Sequence, residues 1–388
     1  MDPNSIVYKY VRRGVPVGAI VSMVISSVCL CGFLGLFLLF SGPVFIVAFI
    51  LSMMTLVPMA AGILALDRLE PEPWYLLLTS FLWGAGTSVV ISIIFSALGM
   101  AVMIVGFGDI NVLVETAVIA PIVEESAKAL VLFGLFWFRR SEFNGIADGV
   151  VYAATCAIGF AAAENIMYYI NAASEGTMSL AMSFVIRGML SPFIHPVFTS
   201  MTGIGLALAV RERSIEARIA LPVGGLLMAM ILHAFWNGSL LFSVIAFFVA
   251  FLSIVGVLIG ILMAVYYDRK RTISRIQACM FRYVPTGLVT NADLAMLSSV
   301  KTRKEARKWA QARAGKGGFN AMRDYQQACT ELTILHDRAQ IGIVPAQQFE
   351  AHRYALLAFM QRAREAFLGT NYYAAPMMNQ SMQAPPRY

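Results

Sequence analysis

Charged residues are scarce in this chain. Asp, Glu, Lys and Arg make up 13% of its 388 residues, 59% are hydrophobic, and the mean hydropathy is +0.72. In soluble domains about a quarter of the residues are charged. The composition therefore excludes an ordinary soluble domain. It predicts an all-α, polytopic integral membrane protein, because helices satisfy their own backbone hydrogen bonds in lipid.

Several sequence signatures are also absent. The five cysteines form no CxxC pair, which argues against a disulfide framework or a thiolate metal site. There is no HExxH motif, so the sequence gives a zinc site no specific support. The first apolar stretch is too long for a signal-peptide core and no A-x-A site follows it, so we expect it to remain in the mature protein. No internal repeat is found, whereas many transporters contain inverted repeats.

Eight apolar stretches are long enough to cross a bilayer, which takes roughly 20 residues. They lie at about 17–40, 44–66, 75–105, 113–138, 146–170, 179–210, 219–239 and 242–267. Together they define a predicted membrane domain at 1–268.

Lys and Arg fall in alternate connections between these stretches. Basic residues lie in KYVRR, DRLEPEPW, RRSEFNG, RERSIEAR and YYDRKR, whereas SGP, GFGDIN, NAASEGTM and NGS contain none. Because cytoplasmic connections collect Lys and Arg, the pattern predicts eight spans with both termini in the cytoplasm. The same rule accounts for the net charge of +7 without a nucleic-acid partner.

The sequence becomes polar after the eighth stretch. We predict a cytoplasmic basic helical module at 269–370, with helices at about 292–314, 319–340 and 346–368, and a disordered tail at 371–388. The basic run KTRKEARKWAQAR either contacts anionic lipid headgroups or is a solvated helix face. We expect the module to be dispensable for chemistry and to act in regulation or at the membrane surface.

The fourth stretch contains the segment IVEESAKAL, with Glu124, Glu125 and Lys128 near the middle of the bilayer. A charge at that depth costs about 3 kcal/mol on insertion scales. Lys128 follows Glu125 by three residues and Glu124 by four, so it can neutralise either carboxylate on one helix face. The other carboxylate must find a different partner, bind a proton or face water. This surplus is the first indication of chemistry, and an ion pair that only locks helix packing is the alternative.

Three other stretches supply polar side chains at overlapping depth. GFAAAENIMYY, SPFIHP and HAFWN carry Glu164, Asn165, His195, His233 and Asn237. We expect these side chains to converge on one cavity. For each histidine the alternative is a helix–helix hydrogen bond without chemistry.

Arg187 lies eight residues before His195 in the sixth stretch. We expect it to pair with Glu164 or Glu115, since an unpaired cation inside the bilayer is costly.

Three kinds of function fit such a set of residues. A buried carboxylate can activate water for amide hydrolysis while His and Asn donate to the oxyanion. Two His and one Glu can instead hold zinc, with a further Glu as base. Acid, Lys and His side chains also line proton or cation paths in transporters, and a non-enzymatic signalling scaffold is a further alternative.

The motifs EESAK, FAAAEN and HAFWN, together with an intramembrane histidine between the last two, occur in an order that resembles the PrsW family of intramembrane proteases. DRLEPEPW is similar to that family's acidic, proline-containing loop. The resemblance covers roughly residues 45–240. It implies a bacterial, multi-pass plasma-membrane peptidase that cuts single-span membrane proteins. The founding activity is site-1 cleavage of an anti-sigma factor outside the cytoplasm, which starts a signalling cascade of proteolysis.

The resemblance also implies roles for individual residues. Glu124 would be the base that activates water, and His233 and Asn237 would hold the oxyanion. Glu125 would orient the site, in part through Lys128.

The remaining residues of the site bear on the mechanism. His195 would be a further catalytic or orienting residue, with Glu164 and Asn165 in support. The related CAAX prenyl proteases, with EExxxR, FxxxH and HxxxN motifs, carry a histidine where this chain has Glu164. We favour metal-free glutamate catalysis without a cofactor, and the alternative is a zinc-dependent metalloprotease. The resemblance does not name the substrate of this chain.

Overall fold

The computed structural model describes residues 15–69, 71–210, 212, 214–340, 342 and 344–368, and these residues form helices and turns without a β-strand. They divide into two compact units, one covering Val15–Lys270 and the other beginning at Arg271. The predicted all-α class is confirmed. The predicted tail at 371–388 and the basic segment before the first helix lie outside the described residues.

The first unit contains the apolar helices, and most of their ends lie within a few residues of the apolar stretches in the sequence. The helices are α1 Val17–Ser41, α2 Pro43–Leu66, α3 Trp74–Leu82, α4 Val89–Phe107, α5 Val112–Val114, α6 Ala120–Phe138, α7 Ile146–Glu175, α8 Thr177–Ser183, α9 Ile194–Ala209, α10 Ile215–Phe242 and α11 Val244–Phe281. The residues of α11 from Arg271 onward belong to the second unit.

Three π-helical segments join neighbouring helices of this unit. They are Trp83–Ser88 between α3 and α4, Glu115–Ile119 between α5 and α6, and Phe184–Leu190 between α8 and α9. Such segments are rare and occur frequently at functional sites. The second and third lead into helices that carry the polar residues singled out in the sequence.

Seven helices or joined helices of the described residues are long and apolar enough to cross a membrane. The predicted span at about 113–138 consists of α5, a π-helical segment and α6. It differs from the seven because α6 carries three charged side chains. The polytopic membrane architecture is thus confirmed, while the count of eight spans stays a prediction.

The central helix of the unit is α7. Its most apolar window is 89% buried, against 11–22% for the other six candidate spans. Gly149 of α7 lies so close to α9 that a Cβ atom there would be 2.2 Å from the carbonyl oxygen of Gly203. Small residues of this kind let helix backbones approach closely in lipid. Asp148, Glu164 and Asn165 of α7 lie inside the unit and not on its lipid-facing surface.

Carboxyl groups gather at the N-terminal end of α7. Asp148 accepts hydrogen bonds from the backbone N–H groups at positions 144 and 145, at 2.7 and 3.0 Å, and Asp268 of α11 accepts one from position 147 at 3.1 Å. Negative charge is favourable at a helix N-terminus. These contacts tie the start of α7 to the end of the apolar part of α11.

Two more carboxyl groups, from the α2–α3 loop, complete this acid cluster. Both carboxylate oxygens of Asp67 accept from the backbone N–H of Glu72 at 3.1 Å. The Tyr152 hydroxyl of α7 donates to the Glu72 carboxylate. Burial raises the pKa of Asp67 from 3.8 to about 7, with the nearby charge of Asp148 adding to the rise and the Glu72 N–H and Arg269 opposing it.

This shift predicts how the stability of the unit depends on pH. The folded state holds the Asp67 proton more tightly than the unfolded chain, so its stability should fall as pH rises from the unfolded pKa to the folded one. Thermal unfolding in detergent should give a falling midpoint over that range. Asp67→Asn should make the unfolding midpoint depend less on pH. Part of the dependence should remain, because burial also raises the pKa of Glu72. Asp109→Asn, at an exposed loop, is the matched control, and parallel curves for wild type and Asp67→Asn would contradict the prediction.

The second unit is a helical module with its own apolar core. Its helices are α12 Asn291–Leu297, α13 Val300–Gln340 and α14 Ala346–Leu368. The helix predicted at 292–314 is interrupted after Leu297 because Ser299 starts a new helix, its hydroxyl accepting from the Thr302 N–H at 3.1 Å. The predicted break in GKGG occurs at Ala314 and Gly315, which have non-helical backbone angles. The cytoplasmic location and dispensability of this module stay predictions.

Candidate active site

Four helices of the first unit bring the predicted polar residues together. Glu124, Glu125 and Lys128 come from α6, Glu164 from α7, His195 from α9 and His233 from α10. Contacts from one helix to the next join all six side chains. We call these six residues the acid–histidine cluster.

Glu125 is the most completely engaged member of the cluster. Its Oε1 accepts from Lys128 Nζ at 2.8 Å and contacts His233 Nδ1 at 3.1 Å. Its Oε2 accepts from the hydroxyl of Thr199 at 2.9 Å. The side chain is fully buried. Because both oxygens are occupied, Glu125 is suited to orienting its neighbours and not to reacting.

Lys128 joins the two halves of the cluster. Besides its bond to Glu125, its Nζ lies 3.5 Å from Glu124 Oε2 and 3.1 Å from His195 Nδ1. The ammonium also lies 3.9 Å from the centre of the Phe160 ring. It is fully buried, so the cost of its desolvation is offset only by these contacts.

Glu124 differs from its neighbour in having an unoccupied oxygen. Its Oε2 makes no hydrogen bond within the described residues, although it is buried. Lys128 Nζ lies 3.5 Å from this oxygen and His233 Nε2 lies 3.9 Å from it. The side chain is 12% exposed, whereas that of Glu125 is fully buried. Glu124 is therefore the carboxylate of the pair with room to interact with water or substrate.

The other half of the cluster is built around Glu164. Its Oε2 accepts from Arg187 and contacts His195 Nε2 at 2.9 Å. Arg187 Nε also donates to Asn165 Oδ1 at 2.9 Å, and its guanidinium lies 3.7 Å from the centre of the Tyr168 ring. We expected Arg187 to pair with Glu164 or Glu115, and in the structure it pairs with Glu164. Asn165 thus supports the cluster through the arginine.

Asn237 is the predicted site residue that lies apart from these contacts. Its Nδ2 donates to the backbone oxygen of Thr116 at 3.0 Å, in the π-helical segment Glu115–Ile119. This contact links α10 to the start of the helix that carries Glu124. Among the contacts of the described residues, none joins Asn237 to the acid–histidine cluster.

Thr199 is a residue of the site that the sequence reasoning missed. It follows His195 by four residues and so lies on the same face of α9, which is the signal that would have found it. Phe198 of the same helix stacks on His233, with ring centroids 4.9 Å apart. Both residues fix side chains that the motifs had already singled out.

The donor set of the cluster fits a divalent metal in one respect. Glu124, His195 and His233 each offer a ligand atom, and the three atoms lie within 4.8 Å of one another. Each imidazole also contacts a carboxylate through one ring nitrogen. His195 Nε2 contacts Glu164, and His233 Nδ1 contacts Glu125. Metal-binding histidines are typically oriented in this way.

The ammonium of Lys128 adds a positive charge beside that donor set. It contacts His195 Nδ1, the nitrogen left over by the Glu164 contact, and lies near Glu124. A metal ion bound by Glu124 and His195 would therefore lie close to the positive charge of Lys128 and compete with it for these two side chains.

The first unit is thus a polytopic helical domain that buries carboxylates, imidazoles and a lysine in one cluster, which are the side chains that acid–base catalysis uses. Residues 72–267 of the chain match the family model described as "PrsW family intramembrane metalloprotease". This is half of the chain and includes the whole cluster. The chain belongs to the PrsW family and is an intramembrane peptidase, so a non-enzymatic transporter or scaffold is no longer a candidate.

Two curated relatives support this assignment. A protein named Protease PrsW from Clostridioides difficile (strain 630) is 25% identical over 190 residues, which are 48% of this chain and 77% of the relative. A Protease PrsW from Geobacillus kaustophilus (strain HTA426) is 27% identical over 138 residues, 35% of this chain and 55% of the relative. No solved structure matches the chain.

Proposed function

We propose that the protein cuts other membrane proteins by hydrolysis in which Glu124 takes the proton from the attacking water. The observation that carries this proposal is the contrast between the paired carboxylates. Glu125 has both oxygens occupied, whereas Glu124 has one buried oxygen without a hydrogen bond among the described residues. A carboxylate in a desolvated site is a competent general base. The departing amine then leaves with the proton that Glu124 has taken from water.

His233 is proposed to stabilise the oxyanion. Because Glu125 as a carboxylate only accepts, His233 holds a proton on Nδ1, and its Nε2 faces Glu124 at 3.9 Å. To donate from Nε2, the imidazole must carry a proton on both nitrogens before the water attacks, and the negative charge of Glu125 beside Nδ1 stabilises that form. Asn237 uses one amide N–H on Thr116 and retains a second for the oxyanion.

The count of charges in the cluster favours a mechanism without metal. Lys128 and Arg187 face three carboxylates, those of Glu124, Glu125 and Glu164. One proton held elsewhere in the cluster makes the set neutral and leaves Glu124 ionised to act as the base, whereas a divalent ion leaves the set positive inside the membrane, where net charge is costly. If Glu124, His195 and His233 bind an ion, as the family description implies, it would supply Lewis-acid polarisation of water or the scissile carbonyl.

The metal question leads to a prediction. We expect purified, active wild-type protein to contain less than about one zinc atom per ten chains and to retain cleavage after chelation, since a site needed for catalysis would be stoichiometrically filled. Elemental analysis and a cleavage assay on the same sample test this. Activity that is lost with the chelator and restored by zinc would establish the metalloprotease version, and His233→Ala should then also lose bound zinc.

The proposed substrates are single-span membrane proteins of the anti-sigma-factor type, cut near their outer ends. This follows from the resemblance to the family and from the depth of the cluster in a chain whose termini we propose to be cytoplasmic. New protein N-termini are to be compared between cells with wild type and cells with the Glu124→Gln, Glu125→Gln variant at equal expression. Termini near the outer ends of single-span proteins, found only with wild type, are the expected result. Matching profiles under several envelope stresses would overturn the proposal.

The second unit is proposed to regulate the enzyme or to contact the membrane surface. Its core includes Ile276, Cys279 and Met280 from the end of α11. A truncation at residue 274 therefore removes that core and leaves the acid–histidine cluster intact. We expect the truncated protein to insert and to cut the same substrate. A truncated protein that inserts normally without cutting would show that the module is needed for chemistry.

A further inference from the structure

A cavity opens beside His195 in the first unit. Its walls come from α2, α7, the π-helical segment Phe184–Leu190 and α10, and they include Met59, Ala161 and Trp236. Trp236 follows the catalytic candidate His233 by one helical turn. A group inside the cavity therefore lies against one imidazole of the acid–histidine cluster and close to the helix face that carries the other.

One wall of the cavity is formed where the helical backbone is interrupted. The π-helical segment ends at Leu190, and α9 begins only at Ile194. Ser191 and Pro192, between them, both line the cavity. Irregular backbone at membrane depth is tolerated where it is buried in protein or lines a cavity. The break thus widens the space beside the cluster instead of continuing a packed helix.

The polar groups of the lining are already engaged by the protein. Ser52 donates its hydroxyl to a backbone oxygen of α7 at 2.7 Å, and Ser191 donates to the oxygen of Ile186 at 2.6 Å. Arg187 is held by Glu164, which balances its charge. What the walls offer to a ligand is mainly hydrocarbon from methionine, leucine, isoleucine and tryptophan side chains. Such a surface favours an apolar group over a charged one.

We propose that this cavity binds an apolar side chain of the substrate next to the scissile bond and so determines the sequence at which the enzyme cuts. This inference rests on the proposed function. It adds the recognition element for one substrate residue, with Met59 of α2 and Ala161 of α7 as the specificity residues.

Two substitutions that change the cavity in opposite directions test the proposal. The probe is the membrane protein whose cleavage requires Glu124, with residues flanking the cut replaced singly by Ala, Leu or Phe. At one position wild type should prefer Leu or Phe to Ala. Ala161→Leu should shift the ratio of kcat/KM toward Ala by about tenfold or more, the range expected for a filled apolar pocket. Met59→Ala should shift the ratio toward Phe.

Matched controls use the same substitutions outside the cavity. Ala173→Leu lies farther along α7, and Met54→Ala lies at an exposed position of α2. Neither should change the ratio. The proposal is overturned if Ala161→Leu and Met59→Ala change the rates of all substrates by a common factor or leave the ratios unchanged. The wild-type rate on the parent substrate reports on the proposed function separately, because the cavity is judged by ratios alone.

Discussion

Glu124→Gln is expected to lower kcat/KM for the cognate substrate by about 10²–10⁴-fold, the usual contribution of a general base. Glutamine keeps the shape and the accepting oxygen but is not able to take the proton from water. Since Glu124 Oε2 makes no hydrogen bond within the described residues, the substitution should leave KM and the thermal unfolding midpoint close to those of wild type. Single-turnover cleavage in proteoliposomes measures the rate, and thermal unfolding in detergent measures stability.

Glu115→Gln is the matched control for this experiment. Glu115 opens the π-helical segment before α6, nine residues from Glu124, and is part of the same predicted span. It should cut like wild type, because it has no contact with the cluster among the described residues. A Glu124→Gln protein that is well folded and cuts at the wild-type rate would show that another group activates the water.

The expected difference between the two adjacent glutamates comes from their partners. Glu125 is held by Lys128, His233 and Thr199, so replacing it should disturb the geometry of the site as well as its charge. Glu124 has fewer contacts and a partly exposed side chain. In the proposed mechanism Glu125 therefore orients the cluster, and Glu124 is the carboxylate that reacts.

The membrane helices could be predicted from the sequence because their signal is local. A run of about 20 apolar residues is visible in any window, and the ends of α2 and α7 fall close to the expected positions. The spacing within one helix is equally visible. The contacts of Lys128 with Glu124 and Glu125 follow from i,i+4 and i,i+3 geometry alone.

Contacts between helices could not be predicted in the same way, since they depend on how each helix is rotated. Lys128 reaches across to His195, and Asn237 turns to the Thr116 backbone instead of the cluster. The π-helical segments change that rotation by inserting a residue into a turn. Hydropathy does not reveal such an insertion. The acid cluster at the start of α7 was missed for the same reason, because Asp67 and Asp268 are 201 residues apart in the sequence.

Lys128→Met is expected to destabilise the first unit by about 3–5 kcal/mol, the usual loss when one partner of a buried ion pair is removed. The fully buried ammonium is the shared cation of Glu124 and Glu125 and contacts His195 Nδ1. Without it two carboxylates remain in the site with no cation from α6. The midpoint of thermal unfolding should fall, and cleavage should be lost. Lys270→Met, the same substitution at an exposed position of α11, should change neither.

Combining Lys128→Met with Glu125→Gln separates charge from packing. Removing one carboxylate along with the cation leaves fewer uncompensated charges, so the double variant should be more stable than Lys128→Met alone. Cleavage should not return, because Glu124 and His195 still lack the ammonium between them. If the double variant is no more stable than the single one, the loss comes from the contact of Lys128 with the Phe160 ring and from the space left behind. In that case the lysine would act as a packing residue, and the charge count behind the metal-free mechanism would lose its support.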